Sequence, residues 1–187
     1  MTDTYTFSDE IENMMYASDF NPIRDCIQCG TCSGTCPAIE FMDNSPREII
    51  GLIRANLKED VINSNTYWSC ASCYHCTVRC PAGIDISELM YTLKRYSIWN
   101  NQHQEDLIGP DFSESFVKMI VNYGRSYEPA LAFTYLPKYS ASNIMEEALN
   151  ASELLFDGKL NIFPKKIKRI DNFRNMVKRI LPLGESK

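Results

Sequence analysis

A mainly α-helical protein is what the sequence predicts, and three observations carry that prediction. Apolar residues recur at helical spacing in several segments. Two of those segments open with helix-capping patterns. Across residues 1–99 almost nothing alternates as a strand would.

Taken in order, residues 1–24 read as a short lead-in, where SDEIENMM suggests one or two helical turns capped by Ser8. The segment SPREIIGLIRANL places Ser45 as N-cap, Pro46 at the first helical position and Glu48 at the third, which is a capping box with a favoured proline. Its expected apolar face is Ile49, Leu52, Ile53 and Leu57. Asp85 and Glu88 make the analogous start of a second helix that carries Leu89, Leu93 and Tyr96. Further on, Asp111 and Glu114 are expected to cap a helix over DFSESFVKMIVNY, with Gly124 just past its end. A helix over NIMEEALNASELLF closes at Gly158. A last one, over Lys165 to Leu181, carries a stripe of Ile167, Ile170, Phe173, Val177 and Ile180 among lysines and arginines. The expected division is a lead-in over 1–24, a metal-binding helical domain over 25–99, and a helical extension over 100–187 for docking.

The chain of 187 residues holds eight cysteines, all between Cys26 and Cys80. Disulfide scaffolds usually spread their cysteines, whereas tight groups at repeated spacing point to metal. CIQCGTCSGTCPAIE and CASCYHCTVRCPAGIDI align with a shift of 44 residues from Cys26 to Cys70, so one binding loop occurs twice. Each run reads C-x2-C-x2-C-x3-C-P. Three close thiolates wrap one side of an iron–sulfur cubane, backbone N–H groups offset its charge, and the fourth cysteine reaches the other cluster. The expectation is two [4Fe–4S] clusters, one on Cys26, Cys29, Cys32 and Cys80, the other on Cys70, Cys73, Cys76 and Cys36. The fold that goes with it is an α-helical ferredoxin-like domain followed by C-terminal helices.

A zinc ribbon needs neither the third cysteine of each run nor the repeated Cys-Pro. A radical S-adenosylmethionine site would use three cysteines and an open iron, and four thiolates leave none. Gly30 and Gly34 are expected to let the backbone approach a cluster, and Ile27, Ile39 and Ile84 to keep water away. Tyr67 and Trp68 read as packing residues. His75, between two ligands, could couple reduction to protonation but reads first as a partly exposed loop histidine. No nucleophile–base arrangement, phosphate loop or nucleotide fingerprint is recognisable, so no catalytic residue is expected.

The formal charge of −5 hides an asymmetry. From Lys159 onward nine Lys/Arg face two Asp/Glu, leaving ten against twenty-two before it. No nucleic-acid reading motif accompanies the basic tail. The acidic start does not resemble a signal peptide, and no apolar run approaches the ~20 residues that span a bilayer. The expectation is a reduced, cytoplasmic protein without membrane insertion, its basic last helix meeting a partner protein and not lipid or nucleic acid.

The segments NPIRDCIQCGTCSGTCPA, SPREIIGLI, YWSCASCYHCTVRCPAGIDI and ELMYTLKR resemble the iron–sulfur C subunits of the heterodisulfide reductases of methanogenic archaea. The bare cysteine pattern is shared with iron–sulfur parts of fumarate reductase, succinate dehydrogenase, glycolate oxidase and glycerol-3-phosphate dehydrogenase. The short length, without other motifs, favours the heterodisulfide reductase family. The resemblance implies an electron-transfer subunit of an oxidoreductase with no active site of its own. It would relay electrons from the flavin-bearing A subunit of heterodisulfide reductase to the catalytic B subunit, which reduces the coenzyme M–coenzyme B heterodisulfide in methanogenesis. It also implies a larger complex with a hydrogenase or formate dehydrogenase.

Overall fold

The computed structural model describes residues 6–15, 21–103, 107–127, 129, 131 and 164–180. Every regular element among them is helical. The chain divides into two compact units, Met1–Leu107 and Ile108–Lys187. No described helix is long and apolar enough to cross a membrane.

The first unit starts with α1 (Phe7–Met14). Its N-cap is Thr6 and not Ser8, because Thr6 closes a capping box with Asp9. The four-residue α2 (Thr31–Gly34) and a 3-10 turn (Ile39–Phe41) follow. Then comes α3 (Pro46–Arg54), which begins as the sequence indicates: Ser45 Oγ accepts from the Glu48 N–H, and the Glu48 carboxylate accepts from the Ser45 N–H at 2.7 Å. Its buried face is Ile49, Ile50 and Ile53. Leu57 is exposed instead of lying on that face, because the helix ends at Arg54 and Asn56 turns into the left-handed region at φ 54°.

Two short helices, α4 (Lys58–Ile62) and α5 (Thr66–Ser69), lead to the second cysteine run, which contains α6 (His75–Val78). The longest helix of the unit, α7 (Ile86–Trp99), is capped by Asp85, whose side chain accepts from the Glu88 N–H at 3.0 Å. Glu88 does not complete a box, since its carboxylate pairs with Arg95 at 2.6 Å.

The core of this unit is one cluster fed by every long helix: Phe7 and Ile11 from α1, the isoleucines of α3, Val61, Tyr67, and Leu89, Met90, Leu93 and Tyr96 from α7. Phe7 meets Tyr96 edge-on with ring centroids 5.6 Å apart. Tyr67 is fully buried and its hydroxyl donates to the Ile62 carbonyl, in line with a packing role.

In the second unit, α8 (Ile108–Tyr123) starts before the expected Asp111, with Pro110 in its first turn, where a missing N–H costs nothing. It stops at Gly124, whose φ of 75° a side chain would resist and where an added Cβ would lie 2.3 Å from Ile167. The last helix, α9 (Ile170–Ile180), is shorter than the span expected from Lys165. Arg169 at φ 60° breaks the helical path, and the Ile167 N–H bonds across to the Tyr123 carbonyl instead of along the chain. Part of the apolar stripe is spent on this unit, because α9 packs on α8 and Arg174 donates to the Val121 and Asn122 carbonyls at the end of α8. The helix expected over NIMEEALNASELLF lies outside the described residues.

Candidate iron–sulfur centres

The two cysteine runs fold alike. Gln28 and Gly30 have φ of 60° and 81°, and the residues 44 further on, Ser72 and Tyr74, have φ of 54° and 62°. Each loop then enters a four-residue helix, α2 or α6, and these two helices pack on each other. A left-handed backbone at both positions curls the loop around a centre. Glycine takes it freely at 30, where an added Cβ would find only ordinary contact with Arg47.

The helices that follow the loops correspond with a shift of 40, from cap Ser45 to cap Asp85. The difference of four is accommodated where the 3-10 turn Ile39–Phe41 follows the first loop. Equivalent contacts recur. The Arg47 N–H donates to Ser33 Oγ at 3.2 Å, and the Ser87 N–H donates to Thr77 Oγ1 at 3.2 Å. Arg54 donates to the carbonyls of Ile23, Arg24 and Cys26, and its counterpart Lys94 donates to the Cys70 carbonyl at 3.3 Å. One cation from the following helix thus holds the first cysteine of each loop.

None of the eight cysteines is in a disulfide. Two cavities open beside the loops. One, about 320 Å³ including space open to solvent, is lined by Cys26, Cys29, Cys32 and Cys80. The other, about 380 Å³ on the same measure, is lined by Cys70, Cys73, Cys76 and Cys36. The exchange extends past the fourth cysteine: Pro81 and Ala82 line the first cavity, Pro37 and Ala38 the second. Among the described residues no three His, Cys, Asp or Glu side chains converge to hold a single metal ion. The sulfurs lie along the walls of the two cavities.

Polar groups surround the sulfurs. The Gln28 backbone N–H and side-chain amide lie 3.4 and 3.5 Å from Cys26 Sγ. Thr31 Oγ1 is 3.3 Å from Cys29 Sγ, and Ser87 Oγ is 3.8 Å from Cys76 Sγ. The Thr31 hydrogen bond holds the exposed Cys29 thiol below its ordinary pKa, while burial pushes Cys32, Cys36 and Cys76 up. Burial also pushes the Lys94 ammonium down, with the charge of Cys70 acting against it. Soft thiol donors in fours, with N–H and O–H groups to offset thiolate charge, fit a [4Fe–4S] cluster in each cavity.

Chain comparison agrees with that chemistry. The family described as a 4Fe-4S dicluster domain matches residues 22–84. Residues 22–84 are a dicluster domain, and the protein carries two [4Fe–4S] clusters. This part of the chain is homologous to the C subunits of heterodisulfide reductases. The C subunit of the ferredoxin:CoB-CoM heterodisulfide reductase of Methanosarcina acetivorans is 40% identical over 73 residues, 39% of this chain and 29% of the relative. That of Methanosarcina mazei is 33% identical over 91 residues, 49% of this chain and 55% of the relative. The C subunit of the H(2):CoB-CoM heterodisulfide,ferredoxin reductase of Methanothermobacter marburgensis is 34% identical over 81 residues, 43% of this chain and 44% of the relative. The matched part thus spans between 29% and 55% of the length of these relatives.

Around the dicluster domain, several expectations change. Ile84 is buried and lines the first cavity, as a water shield should. Ile27 also lines it but is 66% exposed, so it forms the rim. Gly34 is exposed, with nothing within 4 Å of where a Cβ would stand, whereas Gly30 sits against Arg47. His75 is exposed at the start of α6. Reasoning from the cysteines alone missed Gln28, Arg47, Arg54, Ser87 and Lys94. Aligning the helix caps with their own shift of 40 would have paired Arg54 with Lys94 and Arg47 with Ser87.

Proposed function

We propose that this chain is the electron-relay subunit of a heterodisulfide reductase, taking electrons from a flavin-bearing A subunit and delivering them to a catalytic B subunit that reduces the coenzyme M–coenzyme B heterodisulfide. The observation that carries the reading is the sharing of the cavities, three cysteines from one run and the fourth from the other. On that basis Cys26, Cys29, Cys32 and Cys80 hold one cluster, and Cys70, Cys73, Cys76 and Cys36 hold the second. A [4Fe–4S] cluster supplies one-electron capacity with its potential set by charge, hydrogen bonds to sulfur and solvent exposure. The chain's own residues do the rest. Eight thiolates fix the two centres side by side through the packed α2 and α6, Arg54 and Lys94 lock the loops, and Ile84 and Ile86 exclude water from one wall.

With all cysteines used as ligands and no acid–base or nucleophilic pair in either cavity, the chain is a non-catalytic component of the reductase. Its setting is cytoplasmic, without direct membrane insertion or nucleic acid. A hydrogenase or formate dehydrogenase belongs to the larger assembly, and the unit from Ile108 onward docks on a partner. Several relatives are named as C subunits of heterodisulfide reductases, which supports this partner set over that of a fumarate reductase or glycolate oxidase. Anaerobic purification of the native protein tests it: the A and B subunits should co-purify with about eight irons per copy of this chain. Co-purification with a different dehydrogenase, and without the catalytic B subunit, would overturn the reading.

A further inference from the structure

The duplicated loops let like be compared with like, and at one position the two cavities differ by a full charge. The second residue of α3 is Arg47, and the second residue of α7 is Ser87. Each lines the cavity of its own loop, Arg47 with Cys26, Cys29, Cys32 and Cys80, and Ser87 with Cys70, Cys73, Cys76 and Cys36. Each is anchored identically, its N–H on Ser33 or Thr77. Arg47 is half-buried, and among the described residues no carboxylate forms an ion pair with it, the neighbouring Glu48 acting on it only as a nearby charge. A half-buried guanidinium calls for a counter-charge. The group it faces is a wall of four thiolates.

The other cations near the loops do not undo this difference. Arg54 and Lys94 are counterparts, each holding the carbonyl of the first cysteine, so a cation of this kind stands on both sides. The side-chain amide of Gln28 adds a second donor on the Arg47 side, at Cys26 Sγ.

We propose that Arg47 is the counter-ion of the cluster held by Cys26, Cys29, Cys32 and Cys80, and that it makes this cluster the higher-potential member of the pair. Reduction adds one negative charge to a site already carrying four thiolates, and a cation on its wall stabilises the reduced form more than the oxidised one. The assignment to those four cysteines rests on the relay reading above. In such a relay the electron settles on the Cys26 side, so it enters by the Cys70 side and leaves past Cys29 and the exposed Ile27.

The test is a redox titration of the full chain with dithionite under anaerobic conditions, following each cluster by electron paramagnetic resonance, with iron counted in every sample. Wild type should titrate in two steps. Arg47→Met, which keeps a stem to cover Gly30, should retain eight irons and lower the upper step. The expected change is about tenfold in electron affinity, or about 59 mV for one electron. The lower step should stay in place, Arg47→Lys should restore the gap, and Arg47→Ser, which makes the two helix positions alike, should narrow it as Met does. An unchanged upper step in both neutral variants, or movement of the lower one, overturns the proposal. Cys80→Ser separates this from the cysteine assignment. If it alters the lower step while Arg47→Met still moves the upper one, the crossed ligation fails and the counter-ion stands. If it alters the upper step and Arg47→Met moves nothing, the reverse holds.

Discussion

The two cysteine loops have one backbone and two environments. Both curl through a pair of left-handed residues and enter a four-residue helix, and both are held by a cation from the next long helix. The first loop, however, uses glycine where the second uses Tyr74. It is held by three carbonyl contacts from Arg54 where the second has one from Lys94. It also faces an arginine where the second faces a serine. The difference teaches that the thiolate spacing fixes which group is bound, while the rest of each loop is free to set how firmly it is bound and at what potential.

The sharpest way to break the comparison is through the fourth cysteines. Under crossed ligation, Cys80→Ser damages the cluster on Cys26, Cys29 and Cys32, and Cys36→Ser damages the one on Cys70, Cys73 and Cys76. Each variant should keep a normal spectrum for the centre that retains four thiolates, with iron falling from about eight toward about four per chain. Loss of the centre nearest in sequence, seen in spectra of the reduced protein, would refute the exchange.

A smaller effect is expected at the two anchoring cations. Arg54→Ala removes the side-chain donors to the Ile23, Arg24 and Cys26 carbonyls, worth on the order of 3 kcal/mol with charged donors. Lys94→Ala removes one long bond and the cation over Trp68, worth about 1–2 kcal/mol. Thermal unfolding of the loaded protein at a fixed scan rate should therefore fall further for Arg54→Ala. A chelator should strip its Cys26-side centre first. Equal losses in the two variants would mean that the carbonyl contacts do not govern loop stability.

What was legible in the sequence follows the range of each interaction. The caps at Ser45 and Asp85 were readable because a cap is satisfied within three residues. The helical class and the identity of the bound group were readable because cysteine spacing and apolar period are local as well. Thr6 was missed because Ser8 and Thr6 compete for one helix start, and only the box with Asp9 decides between them. The span of α9 was misjudged for the opposite reason. Residues 165–169 have helical periodicity, but the Ile167 N–H finds a partner on α8, and a tertiary bond outweighs a local preference. Arg47 and Arg54 lie off the apolar face that the sequence marks on α3. Their roles depend on chain 14 to 31 residues away, which no local pattern encodes.

The weakest contrast lies in the caps themselves. Both long helices after the loops start with a side-chain acceptor, but only α3 has a closed box, since Glu48 returns to the Ser45 N–H while Glu88 is taken by Arg95. Ser45→Ala should cost about 1 kcal/mol. Glu48→Ala should cost a few tenths, as expected for an exposed carboxylate at a helix start. The Ser45 backbone N–H, and then its hydroxyl, hold the Glu48 carboxyl below its ordinary value of 4.5. A depressed carboxyl stabilises the fold fully above the unfolded value and loses that contribution as pH falls through the folded one. The gap in unfolding temperature between wild type and Glu48→Ala should accordingly be full at pH 7 and shrink as pH drops below 4.5. Replacing Glu88 should instead break the pair with Arg95 and leave the Asp85 cap intact. A Glu48→Ala gap that stays constant with pH would show that the box is closed by geometry alone and that the ionised carboxylate adds nothing to the start of α3.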